Sequence, residues 1–111
     1  MSKRKKVYYG LELRESEMTV SGAISPDAGF VTLNNTTKIE MTIAAPEAGR
    51  LLIISQKDAG TAGHTVTLTA GSYDGSSTVA TFNAQNETLI FFGVSSTRFV
   101  IVENIGSVGL A

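Results

Sequence analysis

Apolar residues recur at every second position in short runs along this chain, and loops of Gly, Ser, Thr, Asn and Ala separate the runs. Period-two alternation sends successive side chains to opposite faces of an extended strand, so each run reads as a strand with one buried face. Residues 30–33, 38–44, 51–54, 65–70, 79–82, 88–92 and 99–102 have this character. Ile39, Met41 and Ile43 alternate with Lys38, Glu40 and Thr42, and Val66, Leu68 and Ala70 alternate with Thr65, Thr67 and Thr69. The second of these strands therefore carries an outer face made wholly of threonine. Leu51 to Ile54, Leu89 to Phe92 and Phe99 to Val102 are apolar on both faces. Such strands are expected at the centre of a sheet covered from two sides, or with their second face turned to a neighbouring subunit.

Before Phe30 the pattern is less regular. Residues 7–13 (Val-Tyr-Tyr-Gly-Leu-Glu-Leu) read as a first strand, Glu15 to Met18 as a loop or helical turn, and residues 18–21 as another short strand. Ser25-Pro26-Asp27-Ala28-Gly29 has turn chemistry, because Pro26 presets its own φ and Gly29 accepts positive φ. Asp74-Gly75 is the pair favoured in tight hairpin turns, and the short span from Gly93 to Arg98 predicts a hairpin between the last two apolar runs.

Sustained 3.6-residue spacing is missing, and β-branched residues dominate the apolar runs. These features predict an all-β fold, a small jelly-roll-like β-sandwich, since a long meander would expose more strand edge. At 111 residues the chain is the size of one domain. The expected division is a basic N-terminal arm over residues 1–6 and a single sandwich domain over residues 7–111.

Charge sharpens that division. The net charge is −1, but Lys3, Arg4, Lys5 and Lys6 give the first six residues +4, and the rest carries five basic against ten acidic side chains. A basic arm on an acidic body suits attachment to an anionic surface. Nucleic acid is a poor match, because four clustered cations beside Tyr8 and Tyr9 sit on a body that repels a polyanion. With no cysteine there is neither a disulfide framework nor a thiolate metal site. No apolar stretch approaches the ~20 residues of a membrane span, and no apolar run follows the basic start as in a secretory signal. The expectation is a protein made in the cytoplasm.

Candidate chemistry is sparse. His64 is the only histidine, placed between Gly63 and Thr65 where a loop enters a strand, and it reads as a polar turn residue rather than a base. No nucleophile stands at a recognisable spacing from it, and there is no Gly-x-Ser-x-Gly elbow. Gly60-Thr61-Ala62-Gly63 lacks the Lys-Ser/Thr of a phosphate loop, and the carboxylates are scattered. No catalytic residue, cofactor or metal is expected. A hydrolase using His64 and a carbohydrate- or receptor-binding module using Tyr73 with Asp74 are the competing readings.

Residues 43–54 (Ile-Ala-Ala-Pro-Glu-Ala-Gly-Arg-Leu-Leu-Ile-Ile), residues 59–69 (Ala-Gly-Thr-Ala-Gly-His-Thr-Val-Thr-Leu-Thr) and Phe99-Val100-Ile101-Val102 carry a family resemblance. A strand of the form small-Pro-x-x-Gly-x-Leu-x-Ile, then a Gly/Thr loop, then a threonine-alternating strand, resembles the small β-sandwich proteins that decorate or cement tailed-bacteriophage heads. The style is shared with tail-fibre and collar modules. In size, lack of cysteine and N-terminal extension the chain is similar to the staple-type cement proteins of epsilon15-like podoviruses. The resemblance implies a non-enzymatic virion protein on the capsid exterior, a homodimer or homotrimer that bridges neighbouring major capsid protein subunits. Contact residues are then expected in the arm: Lys3, Arg4, Lys5, Lys6, Tyr8 and Tyr9.

Overall fold

The computed structural model describes residues 13–111. Ten strands and no helix occur among them: β1 (Glu15–Met18), β2 (Gly22–Ala23), β3 (Phe30–Leu33), β4 (Glu40–Ile43), β5 (Leu51–Gln56), β6 (His64–Leu68), β7 (Val79–Phe82), β8 (Thr88–Gly93), β9 (Phe99–Ile105) and β10 (Gly109–Leu110). They form two five-stranded sheets, β1-β3-β5-β8-β9 and β10-β7-β6-β4-β2, packed face to face. The all-β sandwich expected from the alternation is therefore the fold.

Its winding adds a feature that alternation does not encode. From β1 to β6 each strand crosses to the opposite sheet, so β1, β3 and β5 pair in parallel in one sheet and β2, β4 and β6 in the other. Parallel neighbours need a crossover, and here each crossover runs through a strand of the facing sheet. From β7 onward every pairing is antiparallel: β7 on β6, β8 on β5, β9 on β8 and β10 on β7. The predicted hairpin of the last two apolar runs is β8–β9, with a bulge at Val102 that interrupts the register between Ile90 and Phe91.

The core lies between the sheets. Val31, Leu33, Leu52, Ile54, Leu89 and Phe91 face inward from the first sheet, and Met41, Ile43, Val66, Leu68, Ala80 and Phe82 from the second. At one end Phe91 meets Phe99 and Tyr73 edge-on, with ring centroids 4.7 Å and 5.2 Å apart. Edge-to-face contact sets the positive rim of one ring on the negative face of another and adds about 0.5–1.5 kcal/mol per pair beyond burial.

Several local expectations change. Glu15–Met18 is a strand, held by its parallel ladder to β3, rather than a loop or helical turn, and residues 19–21 lie outside any strand. Residues 7–12 of the first expected strand fall outside the described residues, and Leu13 is not in a strand. Asp74-Gly75 sits within the longer β6–β7 connection instead of closing a tight hairpin, and the Asp74 carboxylate accepts from the backbone N–H groups of Ser76 and Ser77. Those two bonds, Ser77 first, hold its carboxyl below the usual aspartate range. β5 is central, as its apolar run predicts, but among the described residues a layer covers only one of its faces.

Candidate functional site

The titratable residues that converge are found at the end of the sandwich where β3 and β5 finish and β4 and β6 begin. β6 alternates so that His64, Val66 and Leu68 all face inward, and His64 is fully buried. The same phase on β5 puts Gln56 inside with Leu52 and Ile54. Between them the 57–63 loop folds back so that the Asp58 carboxylate lies beneath it, with Gly63 at φ +81° to start β6. His64 is thus a core residue, not the polar turn residue its loop-like flanks suggest.

The hydrogen bonds fix the chemistry of this centre. His64 Nδ1 accepts from the Ile39 N–H at 3.1 Å, so it carries no proton, and Nε2–H donates to Asp58 Oδ1 at 3.0 Å. Asp58 Oδ1 also accepts from the Asn35 N–H, and Oδ2 accepts from the Gly60 N–H at 3.0 Å and Gln56 Nε2 at 3.3 Å. Burial pushes the Asp58 carboxyl up, but the N–H groups of Asn35, His64 and Gly60 together hold it below the usual aspartate range. Gln56 Nε2 further donates to the carbonyl oxygens of Asp58 and Gly60, while its Oε1 is buried without a partner among the described residues.

A histidine base needs one ring nitrogen on the orienting acid and the other free to face a nucleophile. Here the backbone of Ile39 occupies the second nitrogen. The arrangement is a latch that ties the 34–39 and 57–63 loops together, not an acid–base pair. Among the described residues no group of three or more His, Asp or Glu side chains is placed to hold a metal ion.

Tyr73 is also a core residue rather than a sugar-stacking platform. It is fully buried, its hydroxyl donates to the Val66 carbonyl at 2.8 Å, and burial pushes its phenol pKa well up. Asp74 alone remains at the surface.

The two outer faces of the sandwich differ in kind. On the β4–β6–β7 side, Glu40 lies beside Thr65, Thr42 beside Thr67, and Thr65 beside Thr81, giving a hydroxylated face. On the β3–β5–β8–β9 side, register sets Phe30, Ile53 and Ile90 in one row across the sheet and Leu51, Phe92 and Val100 in the next. Phe92 is exposed and the other five are half-buried, with no second layer of strands over them among the described residues. Contiguous apolar surface of this sort is characteristic of contact surfaces and binding grooves. Towards β1 the face turns charged: Lys57 lies 2.9 Å from Glu15 and 3.9 Å from Glu17. The Thr32 hydroxyl, then Lys57, lowers the Glu15 carboxyl pKa, and Glu15 raises that of Lys57.

The arm residues expected to make contacts, Lys3, Arg4, Lys5, Lys6, Tyr8 and Tyr9, lie outside the described residues. The doubly apolar runs Leu51 to Ile54, Leu89 to Phe92 and Phe99 to Val102 left open a second apolar face, and strand register adds Phe30 to it. Sequence reading passed over the buried polar latch; the signal there was that His64 is in phase with Val66 and Leu68. A scan against protein-family models gives no match, and a search of curated proteins gives none.

Proposed function

We propose that this chain is a structural virion protein that binds the outside of a phage capsid as a homo-oligomer and cements neighbouring coat subunits. The observation that carries the proposal is the two-row apolar face of Phe30, Ile53, Ile90, Leu51, Phe92 and Val100 on a small sandwich. A face of that composition on a domain of this size is stabilised by contact with protein. The resemblance of residues 43–54 and 59–69 to phage head-decorating proteins supplies the class of partner. The cationic residues 3–6 supply a second, electrostatic contact, so that two weak attachments act together with raised effective concentration. A catalytic reading loses its base, because both nitrogens of His64 are engaged. The glycan-binding reading loses its aromatic platform, because Tyr73 is in the core.

The test is co-sedimentation of the purified chain with shells of the coat protein encoded in the same genome. The expected result is saturable binding that a deletion of residues 1–6 weakens, more strongly at low salt than at high salt. Equal binding of the truncated and intact chains would remove the arm from the proposal, and no binding of either would remove the proposal.

A further inference from the structure

Gln56 holds the one buried side-chain polar atom that has no hydrogen-bond partner among the described residues, its amide oxygen Oε1. Turning the amide over does not relieve this. Its Nε2 donates to the Gly60 carbonyl at 2.7 Å, the Asp58 carbonyl at 3.1 Å and Asp58 Oδ2 at 3.3 Å, and a flipped amide would set its oxygen against those three. The two ends of a planar amide diverge, so Oε1 is turned away from the 58–60 loop. A buried acceptor without a donor is costly, and such atoms are nearly always paired with protein or with ordered water.

Across the ladder from Gln56 stands Glu87. Gln56 N–H donates to the Glu87 carbonyl and Asn86 N–H to the Gln56 carbonyl, each at 2.9 Å, one step beyond the pair Ser55 and Thr88. Both side chains are in the inward phase of their strands, Gln56 after Leu52 and Ile54 and Glu87 before Leu89 and Phe91, and both are buried. Residues opposite one another on one face have Cβ atoms about 4.5–5.5 Å apart. Glu87 Oε1 accepts from the Asn83 N–H at 2.7 Å, which ties it to the end of β7 in the facing sheet. No cationic side chain pairs with Glu87 among the described residues. An amide oxygen and a carboxylate thus stand side by side, short of donors.

We infer that one ordered water molecule is bound inside this end of the sandwich, donating one hydrogen to Gln56 Oε1 and the other to the Glu87 carboxylate. Water is the smallest ligand with two donors, and about two to four polar partners hold a buried one. A calcium ion fits less well, because it takes roughly six to eight oxygens. Both Asp58 oxygens are already filled by the N–H groups of Asn35, His64, Gly60 and Gln56. The water lengthens the latch into one chain of hydrogen bonds. It runs from His64 on β6 through Asp58 and Gln56 to the first sheet, and returns through Glu87 and the Asn83 N–H to the end of β7. Glu87 is then a positioning residue of the latch. The inference is independent of what either outer face of the sandwich binds.

The experiment is a crystal structure of the full chain at a resolution that shows ordered water, joined to a count of long-lived internal waters in solution by oxygen-17 relaxation of the solvent. The expected crystallographic result is a water about 2.7–3.1 Å from both Gln56 Oε1 and a Glu87 carboxylate oxygen. In solution Glu87→Met, which leaves the Gln56 amide in place, should lower the count by one with the circular dichroism spectrum unchanged. An Oε1 that meets only carbon, a water bonded to one of the two residues alone, a metal ion in its place, or a count unchanged in a folded Glu87→Met would overturn the inference. Where Glu87→Met does not fold, the crystal structure of the parent chain decides alone.

Discussion

His64 shows how far the surroundings of a residue decide its role. Its two nitrogens are set by partners from different segments, Ile39 on one side and Asp58 on the other. Long-range proton–nitrogen NMR of the ring should therefore report the Nε2–H tautomer, and an Nδ1–H ring would contradict the latch. Asp58 gives a second check. Its pKa is depressed in the fold, so between that value and the ordinary one of about 3.9 the unfolded chain binds more protons and stability rises with pH. The Asp58 contribution is complete above the ordinary value and is lost as the pH falls through the folded one. Asp58→Asn should cost about 2–3 kcal/mol at neutral pH, since an amide cannot accept all four donors. It should also flatten the acid limb of a denaturation-against-pH series; an unchanged limb would remove Asp58 as a source of acid sensitivity. Ile39 lies 25 residues from His64 and is brought up by a separate loop, while Asp58 is folded back from the loop that leads into β6. The flanking glycines and threonines therefore pointed to a turn, and only the strand phase pointed inward.

At the scale of elements, alternation reveals which face of a strand is buried but not which strand lies beside it. The alternating run at 38–44 holds β4, and the runs at 65–70 and 88–92 overlap β6 and β8 but miss His64 and Gly93 at their ends, while the parallel winding of β1 to β6 left no mark in the pattern. β1 itself was illegible for the same reason: Glu15-Ser16-Glu17-Met18 has one apolar residue, and its strand conformation comes from pairing with β3. The β4–β5 turn depends on close backbone approach. Gly49 N–H donates to the Gly93 carbonyl at 2.8 Å, Gly93 N–H donates to the Arg50 carbonyl at 2.7 Å, and a Cβ on Gly93 would overlap the Glu47 carbonyl oxygen. Gly93→Ala should therefore destabilise the fold by about 2 kcal/mol or more, read as a lower denaturant midpoint, because neither backbone can yield without breaking these bonds. A midpoint within error of the parent would mean that the turn relaxes freely. Gly71 plays the matching part across the same end, at φ +81° with Pro46 Cδ 2.5 Å from where a Cβ would stand.

For the whole molecule, the proposed function assigns one attachment to the basic segment and one to the apolar face. The body is latched at one end by Asp58 and His64 and packed at the other by Tyr73, Phe91 and Phe99. One outer face is hydroxylated and the other apolar. Composition alone gave the basic segment, but the apolar face emerges only when register lines up residues from β3, β5, β8 and β9. The central claim is that these surfaces hold the chain on a capsid, and the most direct measurement is the fraction of purified chain that sediments with coat-protein shells of the same genome. Saturable binding, weakened by deletion of residues 1–6 and least so at high salt, is the predicted result. A chain that stays in the supernatant at every salt concentration would contradict the claim.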